Sequence, residues 1–467
     1  MNYIKLFSKK TSIFILLTTL IIINFIVFLT LTTNQKLYTL LIASTSLLFS
    51  IPLVLLINDY FKGKRIIKAI YIISILFLLN YPLRAIYLIW KGYGLLSLYA
   101  FPQEHIKALG LAFVGGISFL TAYYLYKPKE KKINFISKDW NKEKFNKTLN
   151  LLYITTAIIA VLVIAIIKGY LPTQLTIKSM FLVLFTTLIP IITILTFIKK
   201  FYFKKNIRIF WTIIFPLQII TGFLIRSKEL IVISIIYLFI FIIMQKKRID
   251  YRIIIVGIII FLMALTLIPP LRKNELTQLT QPDYLKETII NTLDYPMGRM
   301  HALDSTAVII KKTPSEKEFK HGKTLLLLPY SFMPRLFWKN KPIIPLGHYF
   351  AKEYANRTNH IAIGTSLIGD LYWNFGIISV ILGMAILGLL IKKTSSILET
   401  EKLTPSKTLI LTPIYYYLII DFMLESLAAA LSGLIKTIIV MLLLISYFNK
   451  KPQKNTKTDT KIKFQNK

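Results

Sequence analysis

The feature that most constrains this chain is a series of apolar runs, each about 20 residues long and separated by shorter polar stretches. A helix of about 20 residues spans a bilayer core of roughly 30 Å. The runs fall at about 13–33, 37–57, 66–89, 108–126, 149–167, 179–198, 209–225, 230–244, 253–270, 374–391, 407–424 and 427–448. Backbone groups surrounded by lipid must bond within their own segment, so the runs read as helices. The expected fold is all-α: a polytopic membrane protein of about 12 transmembrane helices with a large, partly helical external loop. Lys5, Lys9 and Lys10 precede the first run as they would a signal peptide. That run is too long for such a peptide and lacks a small-residue cleavage site, so it is kept as a span.

Composition supports the same class. Of 467 residues 55% are hydrophobic, and only 17% are charged, too few for a disordered chain. Cysteine is absent, which excludes a disulfide scaffold, a zinc finger and an iron–sulfur site. A net charge of +37 invites a nucleic-acid reading, but the basic residues punctuate the apolar runs and form no single face. No nucleic-acid partner is expected.

Those basic residues set the orientation. A cytoplasmic N-terminus makes 1–12, 58–68, 127–148, 199–208, 246–252, 392–407 and 449–467 the inner segments, and they hold more than half of the 58 Lys and Arg. Both termini are then expected to be cytoplasmic. Residues 1–270 form spans one to nine, 271–373 a large external loop, 374–448 the last three spans, and 449–467 a basic tail attracted weakly to anionic membrane lipid. The loop is too aromatic for a linker, holding Tyr330, Phe337, Trp338, Tyr349 and Tyr354 among others. Short helices around 283–294 and 298–312, packed on the outer membrane face, are expected within it.

Polar residues near the outer ends of spans carry the candidate chemistry. Arg226, Lys228 and Glu229 occupy a connection of about four residues between spans seven and eight. A guanidinium held there at headgroup depth suits a phosphate, or the turn simply snorkels to the interface. Arg272 and Lys273 follow Pro269-Pro270 and read as a membrane-exit cap, with Arg272 the alternative diphosphate contact. His301 and Asp304, three apart, share a helical face as a proton shuttle or as a surface hydrogen bond. The densest region runs from Leu328 to Gly376, where Arg335, Lys341, Arg357 and His360 lie among aromatics that suit a glycan on a diphosphate. Lys436, about ten residues into the last span, is costly in lipid and would look for Asp421 or Glu425.

Several chemistries have no motif: no G-x-x-x-x-G-K-[ST] phosphate loop, no H-E-x-x-H, no Asp-x-Asp and no G-x-S-x-G. Catalysis without metal or cofactor is therefore expected, with cations stabilising a leaving group.

Three places carry a family resemblance: Arg226-Ser-Lys-Glu229, Pro334-Arg335 with Trp338 and Lys341-Pro342, and Gly364 through Tyr372-Trp-Asn374-Phe375-Gly376. With the span layout, they make the chain resemble the bacterial oligosaccharide repeat-unit polymerases of O-antigen and capsule assembly, the Wzy type. The resemblance implies an integral-membrane glycosyltransferase acting on undecaprenyl-diphosphate-linked oligosaccharides at the outer face of the inner membrane. It also implies chain-length regulator and flippase proteins as partners. External-loop arginines important in the family correspond here to Arg226 and Arg335, and His360 is a positional analogue of a ligase histidine. Arg226, Arg272 and Arg335, then Lys341 and Arg357, are expected to bind diphosphate and glycan; Glu229 or His360 would take the acceptor's proton. The rival readings are a flippase of lipid-linked glycan, a ligase and a non-enzymatic scaffold. A flippase would need a charged interior and usually inverted repeats, and no internal repeat is visible.

Overall fold

The computed structural model describes residues 33–61, 68–91, 102–128, 140–170, 175–225, 228–245, 300–326, 328–332, 346–354, 363–400, 403–422 and 426–449. Expected spans one and nine, the helix expected at 283–294, and Arg226, Arg272, Arg335, Lys341, Arg357 and His360 lie outside these residues. Among the described residues there is no strand, only one isolated antiparallel bridge between Trp140 and Asn449.

The helices are α1 (Thr33–Phe61), α2 (Ala69–Asn80), α3 (Pro82–Lys91), α4 (Pro102–Leu125), α5 (Lys142–Ile167), α6 (Leu175–Phe201), α7 (Phe215–Ile225) and α8 (Lys228–Gln245). A π-helical turn, Phe210–Ile214, leads into α7. After the gap come α9 (Ala302–Lys312), α10 (Lys323–Leu326), α11 (Leu346–Glu353), α12 (Leu367–Thr400), α13 (Pro405–Tyr416) and α14 (Leu427–Phe448). Seven described helices are long and apolar enough to cross a membrane: Lys36–Leu56, Ala69–Trp90, Gln103–Leu125, Lys142–Ile167, Leu184–Phe201, Leu367–Ile397 and Leu427–Phe448. Phe210–Ile225 and Ile233–Ile242 are apolar but shorter.

Local chemistry explains the ends and breaks. Asn141 caps α5, its side-chain oxygen accepting from the backbone N–H of Glu143 and Lys144 at 3.0 and 3.1 Å. Thr404 caps α13 by accepting from Lys407 N–H, and Pro405 takes the first helical position, where a missing donor costs nothing. Pro82 separates α2 from α3, as expected of a residue that cannot donate to the preceding turn.

Helix faces divide as a bilayer requires. On α5 the buried stripe is Leu149, Tyr153, Ala160 and Val163, while Leu151, Ile154, Ile158 and Val161 are exposed. Both stripes are apolar, so one packs on protein and the other suits lipid. The most extensive packing among the described helices joins α4 to α12. Glycine permits it: a Cβ on Gly388 would stand 2.3 Å from the Phe119 carbonyl oxygen.

Contacts also sort by end. Trp140 donates its indole N–H to Ser406 Oγ at 2.7 Å, Asn141 N–H reaches Phe448 O at 2.8 Å, and Tyr202 OH meets Thr408 Oγ1 at 2.5 Å. All six residues come from the segments that basic residues assign to one side, or from the span ends beside them. The segment between α8 and the break in α12 has, among its described residues, a small core of its own, built from Val308, Ile309, Phe350, Tyr354 and Trp373. Its helix α9 packs against α4 and α12, near the helix expected at 298–312.

Candidate functional site

At the end of the bundle that carries α9, a buried carboxylate gathers two basic groups. Asp304, in the first turn of α9, accepts from Arg84 Nε at 2.8 Å and lies 3.1 Å from His105 Nε2. Arg84 is on α3 and His105 in the first turn of α4. Arg84 is 0%, His105 1% and Asp304 3% exposed, so water screens none of the three. Desolvation pushes the Asp304 carboxyl up, but the His105 hydrogen bond and the Arg84 charge outweigh it and hold it below its usual value. Beside it Thr306 Oγ1 and Ser366 Oγ are 3.1 Å apart, and Ser305 Oγ donates to Gly364 O at 2.9 Å. Buried together, the three residues tie α9 to α3 and α4.

The expected His301–Asp304 surface pair gives way to this arrangement, because packing α9 on α4 and α12 buries Asp304. Arg84 and His105 were absent from the expected site residues. The signal was present: an arginine inside the run at 66–89 needs an internal acidic partner.

A second polar cluster forms where α12 breaks. Phe375 and Gly376 leave helical geometry, Gly376 with φ 68° and ψ −149°, a region open essentially to glycine alone. Carbonyls released at the break are taken up by the residues just before α10: Lys320 N–H donates to Trp373 O at 2.9 Å and His321 N–H to Asn374 O at 3.0 Å. Asn374 Oδ1 accepts from Gly322 N–H at 3.0 Å and Thr324 Oγ1 at 2.9 Å, while its amide donates to Asp370 O at 2.8 Å. Asp370 Oδ2 in turn accepts the Leu427 N–H at 2.7 Å, placing a carboxylate at the positive start of α14.

This break shapes a surface. Phe319, His321, Phe375, Ile378, Ser379 and Leu382 line an open groove of about 410 Å³ along α12. Phe375, Ile378 and Leu382 are exposed, apolar and on the flank of a spanning helix. His321 stands at the groove with a left-handed backbone, φ 46°, unusual for a non-glycine residue. Beyond it Lys320 Nζ sits 4.8 Å from the Tyr349 ring centre and 5.4 Å from that of Trp373. Trp373 and Tyr354 are buried, while Tyr349, stacked on Trp373 at 5.9 Å between ring centres, and Tyr330 are exposed. Lys317 bonds Glu353 at 2.8 Å, and that contact holds the Glu353 carboxyl below its ordinary value.

A third polar place lies deeper. Lys436, nine residues past the start of α14, lines a cavity of about 230 Å³ together with Asp421, Thr187, Tyr417 and Thr437. The expected pairing with Asp421 is consistent with this shared cavity; Glu425 lies outside the described residues. Helix irregularity surrounds it, with Pro190 inside α6 and a π-helical turn at Tyr417–Asp421.

Of the site residues expected from sequence, Glu229 is in the first turn of α8, and nothing is described of its side chain. Arg226, Arg272, Arg335, Lys341, Arg357 and His360 are outside the described residues, so their convergence rests on the sequence alone. Among the described residues no group of three or more His, Cys, Asp or Glu is placed to hold a metal. Comparison with protein-family models, with curated proteins and with solved structures found no match.

Proposed function

We propose that the protein is an integral-membrane glycosyltransferase that polymerises undecaprenyl-diphosphate-linked oligosaccharide repeat units into O-antigen or capsular polysaccharide. The observation that carries this reading is the groove at the α12 break. It offers apolar surface for an isoprenoid chain at Phe375, Ile378 and Leu382, and an imidazole, His321, beside that surface. Lys320 and Lys323 flank His321 in sequence, and Tyr349 presents an exposed ring close to Lys320. A lipid tail, a diphosphate and a sugar each find a complementary neighbour there.

In the reaction, the terminal sugar hydroxyl of one lipid-linked unit attacks the anomeric carbon of the growing chain. A carbon–oxygen bond to the acceptor forms as the bond to the diphosphate breaks. Fixed cations stabilise the charge that develops on the departing diphosphate. The acceptor's proton goes to a nearby base, for which His321 joins Glu229 and His360 as a candidate.

Reconstitution with lipid-linked repeat units tests the reading. A ladder of products is expected, and Arg226→Ala and Arg335→Ala should each leave the protein in the membrane while products collapse to single repeat units. Long-chain polymer from both variants would remove the arginine assignment, and one-step transfer would point to a ligase. The Lys436–Asp421 cavity favours a second reading, transport of a lipid-linked glycan, because a charged, irregular interior is what carriers use. Translocation of labelled substrate without any ladder would select it.

A further inference from the structure

At the opposite end of the bundle from Asp304, four helix ends enclose a small polar cavity that the reading above does not use. It measures about 140 Å³ and is lined by Leu55 and Asp59 of α1, Lys68 and Tyr71 at the start of α2, Tyr123 and Tyr124 of α4, and Lys392 of α12. The carboxylate among the described lining residues is engaged: Asp59 Oδ2 accepts from Lys68 Nζ at 2.8 Å and from Tyr71 OH at 2.7 Å. Lys392 adds a second ammonium, 5.0 Å from the Tyr123 ring centre, so among the described residues the lining carries one positive charge more than Asp59 offsets. The start of α2 contributes no negative charge, having no acidic residue in its first turn. Leu55 and Tyr124 are exposed, and both belong to helices that span.

We infer that this cavity binds the phosphodiester headgroup of an anionic membrane phospholipid, with Lys392 as the main contact and the acyl chains along Leu55 and Tyr124. Three features point to this ligand class. The charge balance favours an anion. The position, at the ends of α1, α2 and α4 and beside Lys392 of α12, all four in segments long and apolar enough to span, is where basic pockets between helices take anionic lipid. Apolar side chains continue from the cavity on surface that lipid covers, which a soluble phosphate would not need. The inference stands apart from the glycosyltransferase reading, since it involves none of the residues assigned there.

Native mass spectrometry of the full-length protein in detergent, titrated with phosphatidylglycerol or phosphatidylcholine, tests it. One phosphatidylglycerol should bind more tightly than phosphatidylcholine, and Lys392→Gln should weaken that step about fivefold, the effect expected of one lysine near a lipid surface. Lys393→Gln, altering the neighbouring exposed lysine, should leave it unchanged. Equal binding of the two lipids by the unaltered protein would overturn the inference without any variant. Equal losses in Lys392→Gln and Lys393→Gln would also overturn it, showing diffuse attraction. Competition by inorganic phosphate at the concentration of the lipid would assign the cavity to a soluble anion and overturn it too.

Discussion

Replacing Asp304 with asparagine changes almost no volume and removes one charge, which isolates the electrostatic part of the buried triad. Arg84 would then be 0% exposed with its 2.8 Å carboxylate partner gone. Breaking a buried ion pair by removing one member costs about 3–5 kcal/mol, because the remaining charge is stranded. The measurement is reversible unfolding in mixed micelles, comparing Asp304→Asn with the unaltered protein and with Asp304→Asn/Arg84→Met. The double variant should recover at least about 1 kcal/mol of the loss, since the stranded cation is gone. The pH profile carries its own sign. A carboxyl held below its ordinary value stabilises the fold above about pH 4 and loses that contribution only as pH falls through the lowered value. The Asp304 carboxyl itself should therefore stay ionised from pH 5 to 8, and the acid-side loss should shrink in Asp304→Asn. An Asp304→Asn variant within about 0.5 kcal/mol of the parent would refute the argument, as would a double variant whose losses simply add.

Two further outcomes follow from the α12 break. Gly376→Ala should cost about 1–3 kcal/mol from backbone geometry, since the nearest atom to the new Cβ, on Phe319, is at an ordinary 3.4 Å; unfolding in micelles checks it, and an unchanged midpoint would contradict the assigned strain. Asn374→Ala should lose about 1–3 kcal/mol by leaving the Gly322 N–H and Thr324 hydroxyl without their acceptor; hydrogen exchange should show faster exchange at Gly322.

Seven of the runs were legible as spanning helices because lipid imposes one rule on every residue of a run, and hydropathy reads that rule directly. The run at 149–167 lies inside α5, which begins earlier, at Lys142, because a polar first turn capped by Asn141 continues the helix. What hydropathy does not encode is which distant runs meet. Arg84 and Asp304 are 220 residues apart, and nothing local to either names the other. Asp304 was read against His301, its neighbour in sequence, whereas tertiary packing buried it against two other helices. Gly376 was visible as a residue but its positive φ was not, since glycine adopts either sign freely. His321 carried no motif, and only its left-handed backbone beside an apolar groove marks it.

The break at Phe375–Gly376 also decides what counts as a separable part of this molecule. Residues 367–374 are continuous with a helix long and apolar enough to cross a membrane, yet their bonds run to Lys320, His321, Gly322 and Thr324. Mechanically that short helix belongs with the segment that holds α9 and α10, and the rod that continues from Ile377 is a different body joined to it by a glycine swivel. Chimeras that graft this segment onto another scaffold should therefore carry 300–374 together and place the splice at Gly376; a splice at 366 would leave the graft without the carbonyls that anchor it.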